Sequence, residues 1–327
     1  MRFFHISDLH FGKLLYGYDL TEEHRNFIEQ LGDYCDKYNP DAVLIAGDVY
    51  DRSVPSADAM TLLDELLNKL SGRKVFIISG NHDNAKRLSF GKDFFKKHDI
   101  YISTVSQTGE DEKIEKVTFA DEYGNVNIYM LPFLKPALFK NSMPEEAAAG
   151  EDAIIKKLVE NTDIDKNERN IILAHQFFVS GHKEPELCES EQTPAIVGGL
   201  DAVDVSAFDD FEYAALGHIH GGQFVGSEKN RYSGTPIKFS VSERNHNKNI
   251  VMVDMEEKNK EIEITKLPLT QIRDVKKLTG YFDDIIASAD EELKNDYVSI
   301  TLRDEEIIPD VKRSEERRVG KECSVTC

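Results

Sequence analysis

The sequence predicts an α/β protein in which two β-sheets pack face to face beneath outer helices. Three observations carry this. Apolar, β-branched runs alternate with helical patterns at the start of the chain, and a later series of strands arrives with few helices between them. A hydrophobic content of 40% over 327 residues is enough for one large domain and a smaller one.

In chain order, FFHIS, AVLIAG and KVFIISG are buried strands separated by helices over 20–39 and 55–71, a βαβαβ opening. The first helix repeats His24, Phe27, Ile28, Leu31, Tyr34, Cys35 and Tyr38 at three-and-four spacing, which is a core-facing stripe. Pro55 near its first turn and Gly72 beyond its end bound the second. Its leucines 62, 63, 66, 67 and 70 suit core packing, with a dimer contact as the alternative. Further strands fall near 114–119, 126–131, 170–174, 212–216, 223–226, 249–255 and 261–267, and helices near 89–98 and 145–160. Around Pro268 the pattern breaks. A helix over 276–289 and the strand DYVSITL begin a second unit.

No apolar stretch approaches the roughly 18 residues that a membrane-spanning helix needs, and no basic, apolar leader precedes the first strand, so a cytoplasmic location is expected. Cysteines 35, 188, 323 and 327 lack the C-x-x-C spacing of a zinc ribbon, and Cys35 and Cys188 are expected to be reduced thiols. The net charge of −20 argues at first against a polyanionic substrate. Residues 111–212 hold 22 acidic against 9 basic residues, however, while residues 213–270 hold 7 against 8. Bound divalent cations would therefore leave a reactive face positive on an otherwise acidic molecule, and nucleic acid is not excluded.

The buried runs share one kind of ending. FFHIS finishes in Asp8 and His10, VLIAG in Asp48, VFIISG in Asn81 and His82, IILA in His175, and YAALG in His218 and His220. Ligands of open α/β sheets bind beyond the carboxyl ends of strands, where rigid elements hold converging loops. Carboxylates, imidazoles and an amide oxygen, without thiolate, suit hard or borderline divalent metals. Asp8 with His10, and His218 with His220, are two residues apart and face one side of extended backbone. Gly47, Gly80 and Gly217 precede ligand residues and would let the backbone turn sharply. Six or seven ligands exceed the needs of one cation that also holds water and substrate, whereas two cations bridged by Asp48 satisfy the count. Each signal alone is weak, since a single histidine at a strand end is more often structural. The ordered series D-x-H, G-D, G-N-H-D, H, G-H-x-H is specific. His5, His24, His98, His182 and His246 lie outside it and are assigned no ligand role.

This series resembles the calcineurin-type metallophosphoesterase superfamily. SDLHFGK, GDVYDRSVPS, SGNHDN, AHQFF, GGLDAVD, FDDFEYAALGHIHGGQ and YSGTPIKFSVSERNH are similar, more narrowly, to the SbcD family of bacterial nuclease subunits, over residues 1 to about 312. The resemblance implies a four-layer αββα sandwich over 1–268, a small α+β capping domain, truncated, over 269–312, and a non-native tail over 313–327. It implies that Asp8, His10, Asp48 and His220 hold one metal and Asp48, Asn81, His175 and His218 the other, usually manganese, with Mg2+, Fe2+ or Zn2+ as alternatives. A homodimer and an SbcC-type coiled-coil ABC ATPase are the implied partners, although the tail replaces the segment expected to dock on that ATPase.

From the residues, paired cations would activate a water and neutralise a phosphodiester of DNA. His82 would steady the transition state or protonate the departing 3′ oxygen, with Asp83 orienting it. Arg52, Lys86, Arg87, Arg231, Lys238 and Arg244 flank the motifs as candidate phosphate contacts, Arg52, Arg87 and Arg244 foremost. Recognition would then depend on backbone and shape rather than base sequence. The resemblance implies manganese-dependent double-strand exonuclease and single-strand or hairpin endonuclease action in DNA repair and recombination. A small-molecule or nucleotide phosphoesterase is the alternative; a scaffold without activity would lack the ligands.

Overall fold

A computed structural model of the chain describes residues 1–104, 112–181, 183–191, 202–290, 293–305 and 323–325. Two six-stranded sheets dominate it. The first runs Glu263–Pro268, Asn249–Asp254, Arg2–Ile6, Ala42–Ala46, Lys74–Ile78, Ile100–Ser103. Its last four strands are parallel, and Asn249–Asp254 joins Arg2–Ile6 in the antiparallel sense. The second runs Gln223–Val225, Ser227–Tyr232, Tyr213–Gly217, Arg169–His175, Gly124–Leu131, Glu115–Asp121, with a parallel centre and antiparallel edges.

Strand alternation sorts the side chains into layers. Phe3, Leu44, Phe76, Ile128, Ile171, Leu173 and Tyr213 pack between the sheets. Phe4, Ile6, Val43 and Ile45 face the other way, onto Phe27, Leu31, Leu62 and Leu66 of the helices Thr21–Tyr38 and Ala57–Lys69. Tyr129, Ile172 and Ala214 of the second sheet meet Ile154, Ile155 and Leu158 of the helix Glu151–Asn161. The order is helix, sheet, sheet, helix, the predicted four-layer sandwich. The leucine face of Ala57–Lys69 belongs to this core and not to a dimer contact.

Helix ends follow local chemistry. Ser56 caps Ala57–Lys69 by accepting from the Ala59 N–H at 3.1 Å. Of the helix expected over 89–98 only Lys92–Lys96 is helical, starting after Gly91 at φ 74°, and a separate short helix, Ala85–Leu88, precedes it. Gly150 at φ 112° likewise divides Pro144–Ala149 from Glu151–Asn161.

The helix expected over 276–289 needs correction. Val275–Gly280 is a strand, parallel to Tyr297–Leu302, and only Phe282–Ser288 is helical. Val275 and Thr279 are β-branched, and a six-residue stretch ending at Gly280 is long enough to pair but too short to cover an apolar face as a helix. These elements form their own three-stranded sheet over Ile285, Val298 and Ile300. Arg273 and Tyr297 tie it to Glu23 of the first helix. Within the segment expected to be a tail, Cys323–Val325 pairs with Val298–Ile300; the remainder of 306–327 lies outside the described residues. No helix among the described residues is long and apolar enough to cross a membrane.

Candidate metal centre

Register brings the strand endings together. Ile6 pairs with Ile45 and Ala46 with Ile78, so Asp8, Asp48 and Asn81 leave one edge of the first sheet side by side. Gly217 pairs with His175 at the corresponding edge of the second. His175 Nδ1 donates to the Ala46 carbonyl at 2.8 Å across the gap. Its Nε2 is thereby turned inward, towards Asp48.

Asp48 is the hub of what results. Its Oδ2 lies 3.4 Å from His175 Nε2, 3.7 Å from His10 Nε2 and 4.0 Å from His82 Nε2, while Oδ1 accepts the His82 N–H at 2.9 Å. The Asn81 amide oxygen sits 3.0 Å from both His175 Nε2 and His218 Nδ1. Ligand atoms of Asp8, His10 and His220 fall within 4.8 Å of one another, as do those of Asp8, Asp48 and His175. All seven residues expected as ligands thus converge, although they span residues 8 to 220.

The backbone there is strained. Asp8, His10, Asp48 and His218 have φ of 53°, 44°, 50° and 107°. Left-handed conformations at non-glycine residues cost about 1 to 3 kcal/mol each and persist where surroundings enforce them. Gly47 turns as expected, at φ 89°, but the other sharp turns lie in the candidate ligand residues themselves, and Gly80 and Gly217, which do not take positive φ, serve a different purpose. A Cβ on Gly80 would meet the Asp48 carboxylate, and one on Gly217 the Ala46 carbonyl and the His175 ring. These glycines supply room.

Burial sets the charge states. It pushes Asp48 up, yet the His175, His10 and His82 rings outweigh it and hold the carboxyl below its usual range. Burial pulls His175 down, but the Asp48 charge raises it to about 9. His218 is pushed down to about 3 by burial and by the His175 charge, and burial lowers His10 well below the ordinary imidazole value. Neither ring nitrogen of His10 has a hydrogen-bond partner among the described residues. Buried polar atoms are normally satisfied. An imidazole without a partner, aimed at a carboxylate beyond hydrogen-bond reach, fits a shared cation between them, and the donor set fits a hard or borderline divalent ion.

His82 is half-buried at the rim, with Nδ1 donating to the Asp51 carbonyl at 2.8 Å. That contact corrects the orienting role expected of Asp83. The Asp83 carboxylate accepts instead from the N–H groups of Val49, Tyr50 and Gly80 at 2.9 to 3.1 Å, stapling the Asp48 loop to the His82 loop. Arg52 is exposed and lies 3.5 Å from the Asp51 carboxylate; Arg87 and Arg244 are also exposed. Arg231 and Lys238 are buried, Arg231 against Glu228 and Lys238 on Asp274 at 2.5 Å, and are removed from the candidate phosphate contacts.

Sequence reasoning missed the surrounding groups. The Asp51 carboxylate lies 3.8 Å from His10 Nδ1 and 2.9 Å from Lys13. Ser7 donates to Asp8 and meets Ser233 at 2.8 Å. Ser190, Glu191 and Glu243 surround His220. Asp51 alone had a readable signal, its position three residues after Asp48.

The model of the calcineurin-like phosphoesterase family matches residues 1–222. The chain belongs to this family. Within it the chain is 30% identical over 291 residues to the SbcD subunit of the SbcCD nuclease of Staphylococcus epidermidis (strain ATCC 12228 / FDA PCI 1200), covering 88% of this chain and 74% of the relative. That match places it in the SbcD branch of the calcineurin-like phosphoesterases. Among solved structures, GAP50, the anchor in the inner membrane complex of Plasmodium, aligns at TM-score 0.45 and 10% identity over 83% of this chain and 89% of that one. The family assignment rests on the sequence matches.

Proposed function

We propose that this phosphoesterase is a manganese-dependent DNA nuclease, a double-strand exonuclease and single-strand or hairpin endonuclease. One observation carries the metal chemistry: the Asp48 carboxylate ringed by three imidazoles at 3.4 to 4.0 Å. The nuclease substrate is supported by the similarity to the staphylococcal SbcCD nuclease subunit.

In this reading Asp8, His10, Asp48 and His220 hold one cation, and Asp48, Asn81, His175 and His218 the other. When bound, such a pair supplies an activated water at neutral pH and offsets phosphodiester charge. The remaining work is done by the chain. His82, fixed through Nδ1 on Asp51, points Nε2 at the centre from the rim and protonates the departing 3′ oxygen or steadies the phosphoryl group. Asp83 keeps the two loops in register. Exposed Arg52, Arg87 and Arg244 guide the phosphate backbone.

We place the protein in the cytoplasm, in DNA repair and recombination, beside an SbcC-type coiled-coil ABC ATPase. The separate sheet from Val275 to Leu302 acts as part of a cap beyond a phosphoesterase domain ending near Pro268. A homodimer completes this reading. The test compares cleavage of hairpin, blunt duplex and nucleotide substrates with Mn2+, Mg2+ or neither. Hairpin and duplex cleavage with manganese supports the proposal; hydrolysis of nucleotides alone replaces it with a small-molecule phosphoesterase.

A further inference from the structure

We propose that Ser190 is a positioning residue that fixes the tautomer of His220 through a relay ending on Glu243 and Lys248; this deepens, and rests on, the two-cation reading. His220 is buried, and its Nδ1 lies 3.0 Å from Ser190 Oγ and 3.4 Å from Glu243 Oε1. Ser190 Oγ lies 3.1 Å from that same Glu243 oxygen. A hydroxyl has one proton to give.

Where that proton goes follows from what surrounds Glu243. Its fully buried carboxylate meets the Lys248 ammonium at 2.6 Å, and the Phe239 N–H and the Ser240 hydroxyl at 3.2 Å. A carboxylate among donors accepts. Ser190 therefore donates to Glu243, and its oxygen is left to accept from His220. Nδ1 must then carry the ring proton, and Nε2 keeps the lone pair that a cation needs.

The backbone is held as well. Glu191 accepts the His220 N–H and the Cys188 N–H, and Lys248 donates to the His220 carbonyl at 3.2 Å. The turn ending at Glu191 is thus clamped onto the strand end that presents His220. Outer partners of this type fix ligand orientation and raise ligand basicity. Nothing in the G-H-x-H motif announces them, because Ser190 and Glu243 lie 30 and 23 residues away.

Ser190→Ala and Ser190→Thr variants of the full chain test this, read by Mn2+ titration calorimetry and by 15N NMR of the histidine rings without metal. Wild type is expected to show His220 protonated on Nδ1. Ser190→Ala is expected to lose about tenfold or more affinity at one of two Mn2+ sites and to show mixed tautomers, and Ser190→Thr to restore both. A wild-type ring protonated on Nε2, or Ser190→Ala with unchanged affinity and tautomer, overturns the relay. Wild type that binds no Mn2+ overturns the two-cation reading instead, and the NMR arm still decides the relay.

Discussion

Replacing Lys248 by methionine strands a buried negative charge beside the metal centre. The ammonium and the Glu243 carboxylate meet at 2.6 Å with side-chain exposures of 3% and 0%. Breaking such a pair costs about 3 to 5 kcal/mol, because the remaining charge has neither water nor a partner. Glu243 keeps donors from Phe239, Ser190 and Ser240, which sets the expected loss near the low end, about 3 kcal/mol. At about 2 °C per kcal/mol for a chain of this size, the midpoint falls by about 6 °C. Adding Glu243→Gln removes the stranded charge and keeps a hydrogen-bonding group of the same shape, so about 2 kcal/mol should return. Urea unfolding of wild type, both single variants and the double variant, in chelator at pH 7.5, completes the cycle. Two losses that simply add, or a Lys248→Met cost under about 1 kcal/mol, would refute the reasoning, because the pair would then contribute no coupling.

Three further outcomes follow from the site. His82→Ala should keep both cations while turnover falls by about 10² to 10⁴; metal content falling in step with activity would contradict that division of labour. In the metal-free protein a cation must displace the proton of His175, which the Asp48 charge raises to about 9 despite burial. Affinity should therefore rise with pH by up to about tenfold per unit below that value, measured by titration at pH 6.5, 7.5 and 8.5, and a flat profile would dismiss the ion pair. Gly217→Ala drives a Cβ into the Ala46 carbonyl and the His175 ring, neither of which is a flexible chain end. A loss of about 1 to 3 kcal/mol in urea unfolding is expected, together with weaker Mn2+ binding; wild-type stability would remove the case for space at that position.

The strands were legible because each is a short apolar run with β-branched residues, and the convergent side chains of the candidate site because each run stops at a carboxylate, amide or imidazole. What escaped detection follows different physics. Gly150 divides a helix that periodicity alone runs together, and Gly91 delays the start of another, since a positive φ leaves no mark on an apolar pattern. Val275–Gly280 is amphipathic enough to suit either period, and only its parallel partner Tyr297–Leu302 decides for strand. Arg231 and Lys238 are indistinguishable in sequence from surface cations, yet the fold buries both. Ser190, Glu191 and Glu243 sit in polar, aperiodic segments, where a buried acid and a solvated one spell alike. Asp83 was found but given the wrong partner, because adjacency in sequence to His82 says nothing of where its carboxylate points.

The central claim is that one carboxylate, Asp48, joins two cations. Manganese content by elemental analysis with low-temperature electron paramagnetic resonance tests it most directly, because ions about 3.5 to 4 Å apart couple magnetically. Two manganese ions per wild-type chain with a coupled spectrum, and an Asp48→Ala chain that retains neither, is the expected result. An Asp48→Ala chain that still holds two ions, or a wild type showing only isolated ions, contradicts the account.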